Sequence, residues 1–342
     1  MKIDRVHFYV EDAEASRDWF INKLGFQSIA SSTNLHACTE VVRSGAVCFV
    51  LSSPLTITSP VAKFLSQHPP GVADITFSVD DVEDAIAKAS FGGAKVLKSV
   101  QKDAASGSKW GKISAWGALT HTLVEKGQER NIFSSLSSFT GIDHVVLNVE
   151  AGDLEPAVAW YQNTLGFQAK QAFKIQTERS ALHSQVMVSP NHQVQFPINQ
   201  PASANSQIQE FLDANKGAGI QHIALETANI VGAVSQFRRC GVSFLPVPPS
   251  YYTQLQQRPG LPLTVAELAE IAEQEILIDW QETIPQALLL QTFTQPIFSQ
   301  PTFFLEIIER RQQARGFGEG NFRALFEAIE REQFKRGSLP DF

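Results

Sequence analysis

Two imidazoles and a carboxylate stand out in this chain: His144, His222 and Glu306, each inside an apolar, strand-like run. His144 lies in Asp-His-Val-Val-Leu, His222 in Gln-His-Ile-Ala-Leu and Glu306 in Phe-Phe-Leu-Glu-Ile-Ile. A strand sets alternate side chains on one face, so each can point into a cupped sheet while its apolar neighbours fill the other side. A lone carboxylate buried there would cost on the order of several kcal/mol, a cost that a cation removes. Two histidines and one carboxylate occupy three facial positions of a metal and leave others open for substrate and O2. That is the pattern of non-haem Fe(II) oxygenases. Spacing alone does not separate iron from zinc or manganese. Taken singly, each histidine reads as a satisfied core residue and Glu306 as the partner of an arginine.

The repeat reverses that weighing. Ile3-Asp4-Arg5-Val6-His7-Phe8-Tyr9-Val10-Glu11 matches Ile142-Asp143-His144-Val145-Val146-Leu147-Asn148-Val149-Glu150. Trp19-Phe20 and Leu24-Gly25-Phe26-Gln27 match Trp160-Tyr161 and Leu165-Gly166-Phe167-Gln168. Gly71 to Ile75 matches Gly219 to Ile223, and Leu119 to Lys126 matches Phe303 to Arg310. Arg5, Asp74 and Thr122 of the first copy therefore stand where the second has His144, His222 and Glu306. His7 and Asp74 share the first copy with no carboxylate at 122, so no second metal site is expected there.

Each copy reads as two βαβββ modules, with an alternating strand, an amphipathic helix, a Gly-Phe turn and further strands. The expected fold is α+β, two tandem domains covering 1–135 and 136–342. A polar, serine-rich link joins them between Gly127 and Thr140. The second copy is longer, with an insertion at about Pro248 to Thr283 that includes a helical stretch, Val265 to Ile276. Beyond the last strand, Phe322, Leu325, Phe326 and Ile329 follow the spacing of one buried helix face. That helix, ending near Phe334, must cover something.

Composition excludes several classes. At 342 residues the chain is long enough for two cored domains, and 43% hydrophobic content is ordinary for a globular protein. A net charge of -7 argues against a nucleic-acid partner. No apolar run approaches the roughly 18 residues that a membrane span needs, and the N-terminus shows no signal-peptide pattern. Cys38, Cys48 and Cys240 read as free thiols in a reducing cytoplasm. His36, His68 and His192 are expected at the surface, His183 as polar filling, and His121 facing away from any pocket near Thr122.

Several motifs of the second copy resemble the 4-hydroxyphenylpyruvate dioxygenase family of the vicinal-oxygen-chelate superfamily. They are Asp143-His144, Gly217-Ala218-Gly219-Ile220-Gln221-His222, Pro248-Pro249-Ser250-Tyr251-Tyr252 and Phe304-Leu305-Glu306-Ile307-Ile308. The most specific is Gly316-Phe317-Gly318-Glu319-Gly320-Asn321-Phe322. The first copy matches mainly in layout. The resemblance implies two vicinal-oxygen-chelate domains, each an open barrel of two βαβββ modules, the first non-catalytic and the second carrying the metal and a lid helix. It implies Fe(II) and a reaction in which 4-hydroxyphenylpyruvate and O2 give homogentisate and CO2, by oxidative decarboxylation, ring hydroxylation and side-chain migration. The substrate's own 2-oxo acid would chelate the iron. A homo-oligomer, dimer or tetramer, and a place in tyrosine breakdown or quinone synthesis belong to the same expectation.

Carried over residue by residue, Phe293, Phe304, Phe317 and Phe322 look like aromatic walls. Gln207, Gln221 and Gln291 resemble a polar trio that orients the phenol, with Ser184 and Asn199 nearby, and Asn321 is expected to anchor the tail to the pocket. Strand alternation points Gln221 away from the metal face unless its strand bulges. Glu309, where glutamine is common in the family, should face away from Glu306. Two alternatives remain open: 4-hydroxymandelate synthase chemistry, with the same metal and substrate but benzylic hydroxylation, or a non-enzymatic ligand-binding protein of this fold.

Overall fold

The computed structural model describes residues 1–104, 107–125, 137–177, 180–281 and 284–337. Most of the serine-rich link, with the boundary at 135/136, lies outside the described residues. The first half runs β1 (Lys2–Tyr9), α1 (Ala13–Leu24), β2 (Gln27–Thr33), β3 (Ala37–Ser44), β4 (Val47–Pro54) and α2 (Pro60–Gln67). It continues with β5 (Gly71–Val79), α3 (Val82–Phe91), β6 (Val96–Lys102), β7 (Lys109–Ser114) and β8 (Thr120–Glu125). The second half opens with β9 (Gly141–Asn148), α4 (Leu154–Leu165), β10 (Gln168–Gln176), β11 (Ala181–Val188) and β12 (Gln195–Pro201). Then come α5 (Gln207–Asn215), β13 (Gly219–Glu226), α6 (Ile230–Arg239), α7 (Pro249–Leu255) and α8 (Val265–Glu273). Strands β14 (Leu277–Gln281), β15 (Ile284–Phe293) and β16 (Phe304–Arg310) precede the last helix, α9 (Phe322–Arg336).

The two halves form eight-stranded mixed sheets of identical connectivity, β2-β3-β4-β1-β5-β8-β7-β6 and β10-β11-β12-β9-β13-β16-β15-β14. Within each module the first strand runs parallel to the last, and the two modules meet through an antiparallel pair, β1 with β5 or β9 with β13. The α+β architecture of repeated βαβββ modules is the one expected. The shared Leu-Gly-Phe-Gln is its punctuation. Gly25 and Gly166 close α1 and α4 in the left-handed conformation (φ 72° and 68°), where only glycine is unstrained.

Register establishes the equivalence of the copies. Arg5 pairs with Thr76 and Thr76 with Thr122; His144 pairs with Ala224 and Ala224 with Glu306. The expected insertion helix ends earlier than its apolar pattern suggests, at Glu273, and Glu275 turns left-handed (φ 54°) to feed β14. Thr264 and Glu267 begin it with a reciprocal capping box.

The two sheets share one apolar core. Phe8 of β1 meets Phe298 and Phe303 from the second half at ring-centroid distances of 6.2 and 5.1 Å. Reciprocally, His121 of β8 packs against Tyr161 of α4 and Phe196 of β12. His121 is fully buried. Its Nδ1 donates to the Ile75 carbonyl and its Nε2 accepts from the Tyr161 hydroxyl. Burial, partly offset by Asp74, lowers its pKa to about 4. No described helix is long and apolar enough to cross a membrane, and the three cysteines are free thiols.

Candidate metal centre and substrate cavity

Two register rows on the concave face of the second sheet build the centre. One runs His144–Ala224–Glu306–Phe293 across β9, β13, β16 and β15; the next is Val146–His222–Phe304. Residues paired across strands face the same side of a sheet, so both histidines, Glu306 and both phenylalanines converge. Ala224, between His144 and Glu306, is the small member that lets its neighbours lean together. Glu306 Oε2 lies 3.1 Å from His144 Nε2 and 3.5 Å from His222 Nε2, and all three residues are nearly or fully buried. Their ligand atoms fall within 4.8 Å of one another, a spacing that could hold one metal ion. This donor set fits a divalent transition metal with open coordination positions.

Neighbouring groups fix both rings. His144 Nδ1 donates to Asp143 Oδ1 (2.7 Å), which leaves Nε2 free to face Glu306. His222 Nδ1 donates to Gln221 Oε1 (3.3 Å), and its ring stacks on Phe304, centroids 4.8 Å apart and planes 17° apart. Burial alone would lower the His144 pKa, but the Glu306 and Asp143 carboxylates outweigh it and raise it to about 9. Burial dominates at His222 and lowers its pKa. Against its own burial, Glu306 is held below the usual carboxylate range by His144 and His222. Asp143 is held well below that range by Arg310 and His144, again against burial.

The cavity above the triad is lined along alternate residues of the sheet. Phe173 and Ile175 come from β10, Leu182, Ser184 and Val186 from β11, and Pro197 and Asn199 from β12. Gln291 and Phe293 come from β15, and Gln207 and Ile208 begin α5. Gln221 also lines it, because the β13–β9 register slips between Ile220 and His222 and leaves Gln221 as an extra residue. The bulge breaks the alternation that would have turned it away. The side-chain oxygens of Gln207 and Gln291 are buried here without a protein partner, as expected of groups waiting for a ligand.

The C-terminal segment closes the mouth with Phe317, Phe322, Phe326 and Ile329. Phe317 meets the His144 ring edge-on at 5.2 Å, and Phe173 meets Phe322 at 5.0 Å. Asn321 does not line the cavity. Its Oδ1 is 2.7 Å from the Tyr251 hydroxyl, which fastens the tail to α7. Glu309 faces the other side of the sheet, where it caps α6 through the Ile230 N–H (2.8 Å).

The first sheet places Arg5, Asp74 and Thr122 at the equivalent positions. Asp74 accepts from Thr120 (2.7 Å) and Thr122 (3.0 Å) and pairs with Lys112 (3.2 Å). His7 bonds instead to Ser52 (2.8 Å). Sequence reasoning missed Phe173, Leu182, Ile208 and the Asp143–Arg310 pair. Alternation along the strand through Ser184 was the signal that would have found Leu182; nothing in the sequence pointed to the pair.

The chain matches the family model of the Glyoxalase/Bleomycin resistance protein/Dioxygenase superfamily over residues 2–109 and 141–258. A 4-hydroxyphenylpyruvate dioxygenase of Yarrowia lipolytica is 38% identical, the match covering 98% of this chain and 93% of the relative. One from Dictyostelium discoideum is 37% identical, with 98% and 99% covered. Among solved structures, a triple mutant of 4-hydroxymandelate synthase from Streptomyces coelicolor superposes with a TM-score of 0.87 at 28% identity, covering 97% of this chain and 98% of that one. With its repeated sheets, its converging triad and these full-length relatives, the chain belongs to the 4-hydroxyphenylpyruvate dioxygenase family of that superfamily.

Proposed function

We propose that this protein converts 4-hydroxyphenylpyruvate and O2 into homogentisate and CO2, using Fe(II) held by His144, His222 and Glu306. One observation carries the reading most: the triad closes one end of an apolar cavity that also contains two buried glutamine oxygens without partners. When bound, the metal would supply the redox chemistry with O2 and a Lewis-acid seat for the 2-oxo acid. The second half, residues 136–342, performs the chemistry, and the first half, 1–135, supports it without a metal.

The protein's own residues bind and orient. Asp143 and Gln221 hold the histidine Nδ1 protons, so both Nε2 atoms face the centre. Phe293, Phe304 and Phe317 wall the substrate ring, while Gln207, Gln221, Gln291, Ser184 and Asn199 offer polar contacts for its hydroxyl. A buried polar group left unpaired costs about 1–3 kcal/mol, so a substrate lacking the 4-hydroxyl, which would leave the buried Gln207 and Gln291 oxygens without a partner, should bind markedly worse. Phe322, Phe326 and Ile329 exclude water at the mouth.

The structural likeness to 4-hydroxymandelate synthase favours one rival, hydroxylation at the benzylic carbon. Anaerobic Fe(II) loading followed by 4-hydroxyphenylpyruvate and O2 decides between them. Homogentisate supports the proposal, hydroxymandelate selects the rival, and substrate binding with no O2 uptake would reduce the protein to a binder.

A further inference from the structure

Arg310 ends β16, four residues beyond Glu306, and its guanidinium works in two directions. Toward the sheet it forms a two-pronged pair with Asp143, Nε to Oδ2 at 2.5 Å and Nη2 to Oδ1 at 2.8 Å. That Oδ1 is the atom that accepts from His144 Nδ1. Toward the tail, its Nη1 donates to the carbonyls of Ala314 (3.1 Å) and Gly316 (2.9 Å). Between those contacts the backbone is unusual, with Gln312 and Gln313 both left-handed (φ 50° and 56°) and Gly316 at φ 90°. Successive left-handed residues other than glycine persist only where surrounding contacts hold them. Phe317, the next residue, returns to the His144 ring. The circuit His144–Asp143–Arg310–Gly316–Phe317–His144 is closed.

We propose that Arg310 is a positioning residue that ties the orientation of His144 to the seating of the C-terminal segment. The proposal rests on reading His144 as a metal ligand. A planar fork suits this task because both prongs on Asp143 are used while a third nitrogen stays free for the turn. Lysine keeps the charge and loses the fork. Linkage makes the coupling reciprocal: a metal on His144 should tighten the tail, and a loosened tail should weaken the metal.

Two readouts besides turnover test this. One is cobalt(II) affinity, followed by visible absorption; the other is the rate of trypsin cleavage after the exposed Arg315, identified by mass. In the full-length protein, Co(II) should slow cleavage after Arg315. Arg310→Lys should weaken Co(II) about 10–100-fold, the usual effect of losing a group that orients a ligand. It should also speed cleavage several-fold and abolish the protection by metal. The double variant Asp143→Asn/Arg310→Gln removes both charges together, guards against misfolding from an unpaired buried carboxylate, and should lose the same protection. Wild-type Co(II) affinity and metal-dependent protection in Arg310→Lys would overturn the proposal while leaving the metal reading intact. If the wild-type protein takes up no Co(II), the metal reading fails and takes this proposal with it.

Discussion

Gln221 and His222 are adjacent in sequence and yet face the same cavity, because β13 bulges between Ile220 and His222. The bulge also places the Gln221 amide oxygen against His222 Nδ1. Gln221→Leu should therefore weaken metal binding about 10–100-fold, the range for losing a group that orients a ligand. Titration with Co(II) checks it, and Gln221→Glu, which keeps an acceptor, should recover most of the affinity.

Ala224 separates His144 from Glu306 within one register row. Ala224→Val inserts two methyl groups there, at an overpacking cost of about 1–3 kcal/mol. The larger effect should fall on the metal, with Co(II) affinity down at least tenfold and the far-UV circular dichroism unchanged. Equal affinity in the variant would mean that the row has slack.

Removing Glu306 tests the centre itself. Glu306→Ala should purify without iron, and added Fe(II) should no longer raise its melting temperature. The wild type should gain about 2.7 kcal/mol at a free-metal concentration 100 times the dissociation constant. Scanning calorimetry with and without metal measures both.

Tyr251 bridges α7 and the tail, with its hydroxyl on Asn321 Oδ1 (2.7 Å) and accepting the Ile278 N–H (2.8 Å). Tyr251→Phe leaves both groups without that partner, so urea melts should show a loss of about 1–3 kcal/mol. The expected kinetic mark is O2 consumption exceeding homogentisate formed, as the tail seats less firmly.

His121 predicts an acid limb. Its folded pKa, lowered to about 4, lies below the unfolded value near 6.5. The unfolded chain therefore binds the proton first, and stability falls as pH drops from 6.5 toward 4. His7, also lowered to about 4 by burial, adds in the same direction. In metal-free protein, His121→Gln should lose less stability between pH 7 and pH 5 than the wild type, by urea melts at both values.

The convergence of His144, His222 and Glu306 was legible because duplication supplied an internal control: Arg5, Asp74 and Thr122 occupy the same positions in the first copy. Ser184, Asn199, Phe293 and Phe304 were legible through the family resemblance, and in the structure they line the cavity on alternating strand positions. Gln221 was ambiguous for a physical reason, since the one-residue bulge falls at a polar pair, Gln221-His222, where no apolar residue reveals the shift of phase. The Asp143–Arg310 pairing was opaque because it reaches over β13 from β9 to the end of β16, a tertiary fact that neither local sequence encodes. Asn321 was placed with the pocket through its motif, whereas its contact is with Tyr251.

Phe8 against Phe303, and His121 against Tyr161, show that each half contributes a wall to its sibling's interior. Severing the chain between them would therefore not yield two modules. It would expose a greasy seam on both fragments, and each should clump or recombine with the other rather than persist alone. Such mutual burial gives the first copy a structural task of its own, whatever residues stand at its Arg5, Asp74 and Thr122 positions.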